Sequence, residues 1–235
     1  MYVVSGKDMK RAYVAYSTFG TVMYLKTEDG VLKGAFRDPT LATHTVLTIR
    51  PIEFDEEFDI VTDVSIEPAV KFFKKLNTKD NVSITYLENR QTYVFESPPL
   101  RYYGEVVLKD YAKYDPVRED INDHFDTSIT VKTSELRNIL SAITEKFAVL
   151  TILDNTLRVF GKEFQGRAGV EAVIEGTKHK GGNVQGIYSV EFLKYVVSMA
   201  DGEVTINMNS KKAPFPCKID FADGCFTVIA PIVEV

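Results

Sequence analysis

Cysteine, histidine and long apolar runs are scarce in this 235-residue sequence, and each scarcity excludes a class of protein. Two cysteines, Cys217 and Cys225, are too few for a disulfide framework or a four-thiolate metal site, and we expect both to be small buried residues. The three histidines lie far apart, without metal-ligand spacing or a neighbouring nucleophile. No segment approaches the roughly 18–20 apolar residues of a membrane-spanning helix. Polar and charged residues interrupt residues 1–10, which argues against a secretory signal and for an intracellular protein.

Alternating apolar and polar residues, in contrast, are abundant. Alternating runs flank the turns at Glu28–Gly30 and Glu88–Arg90, which predicts two β-hairpins, and similar runs recur along the chain. Four segments have apolar residues at helical spacing instead, each next to a serine or threonine that can cap the first turn. The predicted helices are Gly6–Thr18 with Ser5, Ile66–Leu76 with Ser65, Ser134–Phe147 with Thr133, and Val190–Ala200 with Ser189.

The sequence divides into two halves with the same order of predicted elements. Residues 1–108 and 127–235 each contain two helices that alternate with groups of strands, whereas residues 109–126 are charge-dense and aperiodic. Short segments match between the halves, for example Phe19–Leu25 with Phe147–Leu153. We therefore predict an α+β fold of two similar domains, 1–108 and 127–235, joined by a connector at 109–126. The alternative is that helices and hairpins alternate in this way by chance.

Positive charge is concentrated on two of the predicted helices. The chain has 28 basic and 33 acidic residues, a net charge of −5. Lys7, Lys10 and Arg11 outnumber one acid on the first helix, and four lysines outnumber one acid over residues 65–79 of the second. The basic residues recur at i, i+3 and i+4, away from the apolar positions, which places them along one side of each helix. Such a side can meet a phosphate backbone, although a solvated helix face has the same pattern.

Five ordered segments resemble the DNA sliding clamps of the proliferating cell nuclear antigen type. They are Ser5–Ala12 (SGKDMKRA), Asp29–Thr40 (DGVLKGAFRDPT), Glu53–Asp59 (EFDEEFD), Tyr188–Tyr195 (YSVEFLKY) and Ile229–Glu234 (IAPIVE). The resemblance extends over nearly the whole chain. The sequence departs from the family in its connector, in its short C-terminus and in the few basic residues of its last two helices, which fits a divergent archaeal or viral member.

The resemblance implies a fold, an assembly and a set of partners. Each chain of this family has two clamp domains, each with two helices packed on antiparallel sheets, and three chains close into a ring around duplex DNA. The implied function is a processivity factor without catalytic activity or cofactor. Its implied partners are double-stranded DNA, two further copies of itself, a clamp loader, and DNA polymerase with other proteins that carry short peptide motifs. The implied location is the cytoplasm of an archaeal or virus-infected cell, or the nucleus of a eukaryotic one.

The resemblance also implies two sets of binding residues. The residues expected to face DNA are Lys7, Lys10, Arg11, Lys71, Lys74, Lys75, Arg137 and Lys194. The residues expected to dock partner peptides are Arg37, Leu41, Tyr111, Tyr114, Val117, Val228, Pro231 and Ile232. For the two connector tyrosines, simple packing of the connector onto the sheets is an equal alternative.

Two charged segments have simpler interpretations than a binding site. The acidic residues of Glu53–Asp59 could hold a cation, but a solvated loop is favoured, and Lys178–Gly182 is favoured as a loop over a phosphate site. No catalytic or metal-binding constellation is recognisable. Two rival functions stay open, namely an open monomeric or dimeric processivity factor with the same fold and an α+β enzyme whose site the sequence does not reveal.

Overall fold

The chain folds into two compact units. The structure is a computed structural model that describes residues 1–107, 124–162, 169–212 and 214–232. The N-terminal unit comprises Met1–Pro39 and Val46–Val117, and the C-terminal unit comprises Thr40–Thr45 and Arg118–Val235. Most of the predicted connector at 109–126 lies outside the described residues, so its limits stay a prediction. Within the described part, no helix is both long enough and apolar enough to span a membrane.

The N-terminal unit contains two helices and two antiparallel sheets. Its helices are α1 (Gly6–Phe19) and α2 (Glu67–Lys75). Its strands are β1 (Tyr2–Ser5), β2 (Val22–Glu28), β3 (Val31–Arg37), β4 (Thr43–Ile49, from Val46 onward), β5 (Glu53–Phe54), β6 (Ile60–Asp63), β7 (Asn81–Leu87), β8 (Thr92–Ser97) and β9 (Leu100–Glu105). One sheet has the order β5-β1-β7-β8-β9, and the strands of the other follow the order β4-β3-β2-β6.

The C-terminal unit has the same composition. Its helices are α3 (Thr133–Ala142) and α4 (Val190–Met199). Its strands are β10 (Thr127–Lys132), β11 (Phe147–Leu153), β12 (Thr156–Lys162), β13 (Glu171–Glu175), β14 (Lys178–Lys180), β15 (Val184–Ser189), β16 (Glu203–Met208), β17 (Cys217–Ala222) and β18 (Cys225–Ile229). Its strands follow the orders β14-β10-β16-β17-β18 and β13-β12-β11-β15.

The strand orders of the two units match position by position. The five-stranded order of the N-terminal unit becomes that of the C-terminal unit when β5, β1, β7, β8 and β9 are replaced by β14, β10, β16, β17 and β18. The four-stranded order repeats in the same way, with β13 in the place of β4. The α+β fold of two similar domains predicted from the sequence is thereby confirmed.

The two units fill their cores with different side chains. In the N-terminal unit, Phe73 of α2 is fully buried, and its ring lies 5.0 Å from that of Tyr13 on α1 and 5.8 Å from that of Phe95 on β8. Tyr102 of β9 joins this cluster, and its buried hydroxyl donates to the carbonyl of Asp63 at 3.0 Å. Burial raises the pKa of Tyr102 to about 12, so it stays neutral in the core.

Aliphatic side chains dominate the core of the C-terminal unit instead. Fully buried leucine, isoleucine and valine residues from α3, α4 and the sheets pack together, among them Leu136, Leu140, Ile129, Leu150 and Leu193. Burial of such side chains contributes most of the stability of a unit of this size. Tyr188 adds one buried ring whose hydroxyl donates to the carbonyl of Phe215 at 3.0 Å.

A six-residue segment from the first half of the sequence belongs to the C-terminal unit. This segment, Thr40–Thr45, includes the start of β4. The hydroxyls of Thr45 and Thr227 share a buried hydrogen bond of 2.9 Å, and the hydroxyl of Tyr195 donates to Thr45 Oγ1 at 3.5 Å. The C-terminal unit therefore depends on residues encoded before the second repeat begins.

Helix starts and ends differ in detail from the sequence predictions. Ser5 caps α1 as predicted, since its hydroxyl accepts from the amide of Asp8 at 3.0 Å. Ser189 is the N-cap residue of α4 as predicted, although its side chain makes no capping bond. The predicted caps at Ser65 and Thr133 are wrong, because Ile66 and Lys132 occupy those N-cap positions. The Ser65 hydroxyl donates to Asp63 instead, and the buried Thr133 hydroxyl has no hydrogen-bond partner among the described residues. Helix α3 ends at Ala142 rather than at the predicted Phe147, because Phe147 is the first residue of β11.

Lys178–Lys180 forms an edge strand, whereas the sequence favours a loop. Its residues pair with Ser128, Ile129 and Thr130 of β10. Lysine and histidine are weak strand formers, so the pairing with β10 decides this structure rather than local preference.

We expect Phe73→Ala to lower the free energy of unfolding by about 3–5 kcal/mol, because it leaves a cavity in the aromatic cluster. Urea denaturation followed by circular dichroism measures this change. Ile52→Ala, at a side chain that is 54% exposed, is the control and should cost less than about 1 kcal/mol. Equal losses for the two variants would show that the cluster is not the core of the N-terminal unit.

Candidate nucleic-acid interface

Helix α1 presents fewer free cations than its spacing predicts. Lys7 is exposed and Lys10 is half-buried, but Arg11 is 7% exposed and its guanidinium donates to Asp8 Oδ1 at 2.6 Å. The other oxygen of Asp8 accepts from the Ser5 hydroxyl at 2.7 Å. Arg11 therefore helps to hold the first turn of the helix and lies inside the unit. The sequence pattern instead predicts that it lies on the polar side of the helix.

Helix α2 carries the exposed lysines. Lys71 pairs with Glu67 one turn earlier, so part of its charge is neutralised. Lys74 and Lys75 in the last turn are exposed, as is Lys79 beyond the helix, and none of the three pairs with a carboxylate of the described residues. Cations at the C-terminal end of a helix are also stabilised by its dipole. The buried face of the same helix consists of Ala69, Phe72 and Phe73.

In the C-terminal unit, the two predicted DNA-facing cations bind the ends of each other's helices. Arg137 of α3 donates from Nη2 to the carbonyls of Val197 at 2.7 Å and Ala200 at 3.1 Å, at the end of α4. Lys194 of α4 donates from Nζ to the carbonyl of Ile143 at 3.0 Å, just after the end of α3. The last carbonyls of a helix have no partner within it, and a charged donor is a strong way to satisfy them.

This exchange changes what Arg137 and Lys194 can do. Both side chains are exposed, yet both have donors committed to backbone carbonyls. A phosphate that bound either cation would have to share these donors or break a helix cap. The C-terminal unit therefore offers less free positive charge on its helices than the N-terminal unit, in keeping with its net helical charge of zero.

The predicted peptide-docking residues are only partly brought together. The amide of Ala230 donates to the carbonyl of Ala42 at 2.8 Å, which places Leu41 near Pro231 within the C-terminal unit. Leu41 is 73% exposed and has a positive φ of 59°. The amide of Ile232 donates to the carbonyl of Ile187 at 2.8 Å, which anchors the chain end beside β15.

The members of that set differ in exposure and in the unit to which they belong. Val228, Pro231 and Ile232 are half-buried, and Arg37 is exposed at the end of β3 in the N-terminal unit. Tyr111, Tyr114 and Val117 lie outside the described residues. The structure thus supports an apolar surface around Leu41 and the chain end.

Two edge strands expose apolar side chains that the sequence analysis did not single out. Tyr103 on β9 is 50% exposed, and Val173 on β13 is 55% exposed. Each strand is the last described one of its sheet. Alternation alone could not find them, because an exposed apolar residue on an edge strand produces the same pattern as a buried one.

Cys217 and Cys225 are both buried with free thiols, as predicted, and burial raises the pKa of Cys217 well above its ordinary value. No group of three or more histidine, cysteine, aspartate or glutamate side chains within the described ranges could hold a metal ion.

Solved structures match the chain over its whole length. A PCNA2–PCNA3 complex from Sulfolobus tokodaii aligns with a TM-score of 0.78 at 14% identity, covering 99% of each chain. The structure of the C-terminal region of FEN-1 bound to A. fulgidus PCNA aligns with a TM-score of 0.76 at 15% identity, covering 100% of this chain and 98% of that one. The chain has the sliding-clamp fold.

A bacterial clamp extends this comparison. The DNA polymerase sliding clamp of Bacillus subtilis aligns with a TM-score of 0.76 at 15% identity, over all of this chain but only 64% of its own length. No protein-family model and no curated protein matches the sequence. The clamp fold is therefore visible in the structure, where sequence comparison finds no relative.

We expect Arg137→Met to lower the free energy of unfolding by about 1–2 kcal/mol, because two carbonyls at the end of α4 lose a charged donor. Lys74→Met on α2 removes the same type of charge without breaking a cap and should change stability by less than about 0.5 kcal/mol. Thermal or urea unfolding of both variants tests the difference. If Arg137→Met is as stable as Lys74→Met, the exchange of caps does not stabilise the clamp fold.

Proposed function

We propose that this protein is a DNA sliding clamp, a ring-shaped processivity factor that encircles duplex DNA and tethers DNA polymerase and other replication or repair proteins. The observation that carries the proposal is the match of its complete two-unit architecture to clamp structures, with coverage near 100% of both chains in two cases. The protein performs no chemistry of its own in this proposal. Tethering raises the local concentration of an enzyme at its DNA substrate.

The lysines at the end of α2 are the main proposed contacts with DNA. Lys74, Lys75 and Lys79 are exposed and lack carboxylate partners among the described residues, so they can exchange counterions for phosphates. Lys7, Lys10 and Lys71 extend this surface. Arg137 and Lys194 contribute less, because their donors cap helices. Contacts of this kind ignore base sequence, as a sliding protein requires.

The two apolar edges provide the proposed contact between chains. Strands β9 and β13 each expose one large apolar side chain, Tyr103 and Val173, and each stands at the end of its strand order. Edges of this kind are a liability unless another strand covers them. Head-to-tail pairing of β9 with β13 of the next copy would cover both, and a suitable rotation closes a ring, here proposed as a homotrimer.

The surface around Leu41 is the proposed docking site for partner peptides. Its exposed leucine lies in the same unit as the anchored chain end, whose apolar residues Val228, Pro231 and Ile232 are proposed members of the site. Arg37, Tyr111, Tyr114 and Val117 are further members that the family resemblance implies. One of the matching structures is a clamp bound to the C-terminal region of FEN-1, which supports peptide capture by this fold. A closed ring also needs an opening step to enter circular DNA, a role we assign to a separate loader.

We expect the double variant Lys74→Ala, Lys75→Ala to weaken binding to a short duplex with open ends, which a ring can thread without a loader. The slope of log K against log salt concentration is negative, and its magnitude should decrease by about 1–2, since each lost phosphate contact lowers that magnitude by about 0.9. Lys178→Ala, Lys180→Ala on edge strand β14 removes the same charge elsewhere and is the matched control. Equal changes for both pairs would contradict a helix-borne DNA interface.

A closed ring has a second signature. Chains assembled in the presence of circular duplex should stay bound through a high-salt wash and should be released when the circle is cut. Equal loss from circular and linear DNA would contradict encirclement and favour the open processivity factor.

We expect the wild-type chain to elute at micromolar concentration as a particle of about three times 26.5 kDa, and Val173→Glu to elute as a monomer. The new carboxylate on β13 would lie between Glu171 and Glu175, so it adds like charge to an edge that must be desolvated. Size-exclusion chromatography with light scattering gives both masses. Leu41→Glu, at an exposed residue that belongs to neither β9 nor β13, should keep the wild-type mass. A monomeric wild-type chain would contradict the homotrimer.

A further inference from the structure

The edge strand β5 of the N-terminal unit carries an exposed apolar strip that neither DNA binding nor ring closure uses. Ile52 is 54% exposed, Phe54 is 49% exposed and Met1 is 38% exposed. Ile52 and Phe54 lie on the face of Tyr2, because Tyr2 pairs with Phe54 across the ladder and the amide of Ile52 donates to the carbonyl of Val3 at 2.7 Å. Alternation along β1 places Met1 at the same edge but on the other face, with Glu53. These three are among the seven large apolar side chains that the described part of the chain exposes.

The ring of Phe54 is held in place without being covered. It stacks on the buried ring of Tyr2 with centroids 5.9 Å apart and planes at 22°. On another side lies the turn between β2 and β3, where a Cβ added at Gly30 would come within 3.4 Å of the ring. An aromatic side chain already fixed in one position loses little entropy when a partner covers it, which favours binding.

Unpaired carboxylates surround this strip. Glu53, Glu56 and Glu57 are exposed and make no ion pair or hydrogen bond with the described residues. The two aspartates of the segment are engaged, since Asp55 binds the N-terminal amine and Asp59 accepts from the amide of Thr27 at 2.9 Å. The free negative charge therefore belongs to the three glutamates.

The corresponding edge of the C-terminal unit has the opposite character. Strand β14 takes the place of β5 in the repeated strand order, but its residues are Lys178, His179 and Lys180. It exposes two lysines and no large apolar side chain. The acidic and apolar edge is therefore a property of this sequence and not a requirement of the repeated fold.

We propose that β5 docks an extended basic segment of a partner protein, which adds a strand to the free edge of the sheet. Side chains alternate along a strand, so Ile52 and Phe54 share one face and Glu53 lies on the other. A segment with alternating apolar and basic residues matches both faces, its apolar groups covering Phe54 and its lysines or arginines meeting the glutamates. The proposal is independent of the proposed function, since it involves neither α2 nor the edges β9 and β13.

The test uses the full-length chain and a fluorescent peptide with blocked ends, Lys-Leu-Lys-Leu-Lys-Leu-Lys, with binding followed by anisotropy. We expect saturable binding that Phe54→Ser weakens about tenfold, as loss of a central anchor does. The triple variant Glu53→Gln, Glu56→Gln, Glu57→Gln should also weaken it about tenfold and reduce its salt dependence. A peptide with glutamate in place of lysine should not bind, and N-methylation of alternate peptide amides should abolish binding if a strand is added.

Matched controls separate this site from general attraction to an acidic protein. Val170→Ser removes an exposed apolar side chain that neither the ring contact nor the other proposed sites use, and Glu88→Gln, Glu191→Gln, Glu203→Gln removes the same charge from other exposed positions. Both should change affinity less than twofold. Equal weakening by the control triple would overturn the proposal. Circular dichroism shows that each variant is folded.

Two further results would also overturn it. If the glutamate triple variant aggregates while peptide affinity is unchanged, the charges serve only to keep the edge from pairing. If the wild-type chain self-associates beyond its basal assembly and Lys178→Glu, Lys180→Glu abolishes that, the occupant of β5 is the basic edge β14 of a second copy.

Discussion

The unpaired backbone groups at the edges of its sheets are the constraint on which this structure depends. The antiparallel strand orders end in edge strands, and each of these edges must be covered, charged or shared. The chain treats them differently. Strands β9 and β13 present tyrosine and valine, β14 presents lysines, and β5 presents a fixed phenylalanine among glutamates. The assembly and both docking proposals follow from these differences, because a repeated fold with identical edges could not assign a separate partner to each.

The two helix pairs show how one architecture can be stabilised by different interactions. In the N-terminal unit, stacking of Tyr13 on Phe73 holds α1 against α2, and Lys74 and Lys75 of α2 pair with no carboxylate of the described residues. In the C-terminal unit, Arg137 and Lys194 close the helix ends, so the cations themselves belong to the structure. A basic residue on a helix that faces a polyanion is therefore not by itself a ligand for it. What decides is whether its donors are already committed within the fold.

Much of the fold could be predicted from the sequence, because periodicity records burial. The α1, α2 and α4 boundaries fell within about a residue, and both hairpin turns were found, because alternation and helical spacing are local properties. The repeat was visible for the same reason. The end of α3 was missed, because Ile143 and Phe147 continue a helical apolar pattern although Phe147 starts β11. The predicted capping bonds failed because a serine or threonine near a helix start can cap the helix but can also bond elsewhere. The Ser65 hydroxyl donates to Asp63 instead.

The candidate site was less predictable, because it depends on contacts between distant segments. The local sequence pattern does not show that Arg11 is buried within its unit, or that Lys194 donates to a carbonyl 51 residues earlier. The exposed apolar side chains of β5 could not be predicted, because the acidic composition of their segment indicates a solvated loop. The strand forms by pairing with β1, which is distant in the sequence.

The displaced segment Thr40–Thr45 has a consequence for how this chain can be divided. Its Thr45 hydroxyl is the buried partner of Thr227 and receives a hydrogen bond from Tyr195, yet it is encoded more than 80 residues before β10 begins. Separating the halves at the connector would strip the second half of a strand segment and remove the hydrogen bonds that Thr45 makes with Thr227 and Tyr195. The duplicated sequence is therefore not modular, since its second copy is complete only when a short stretch of the first copy is present.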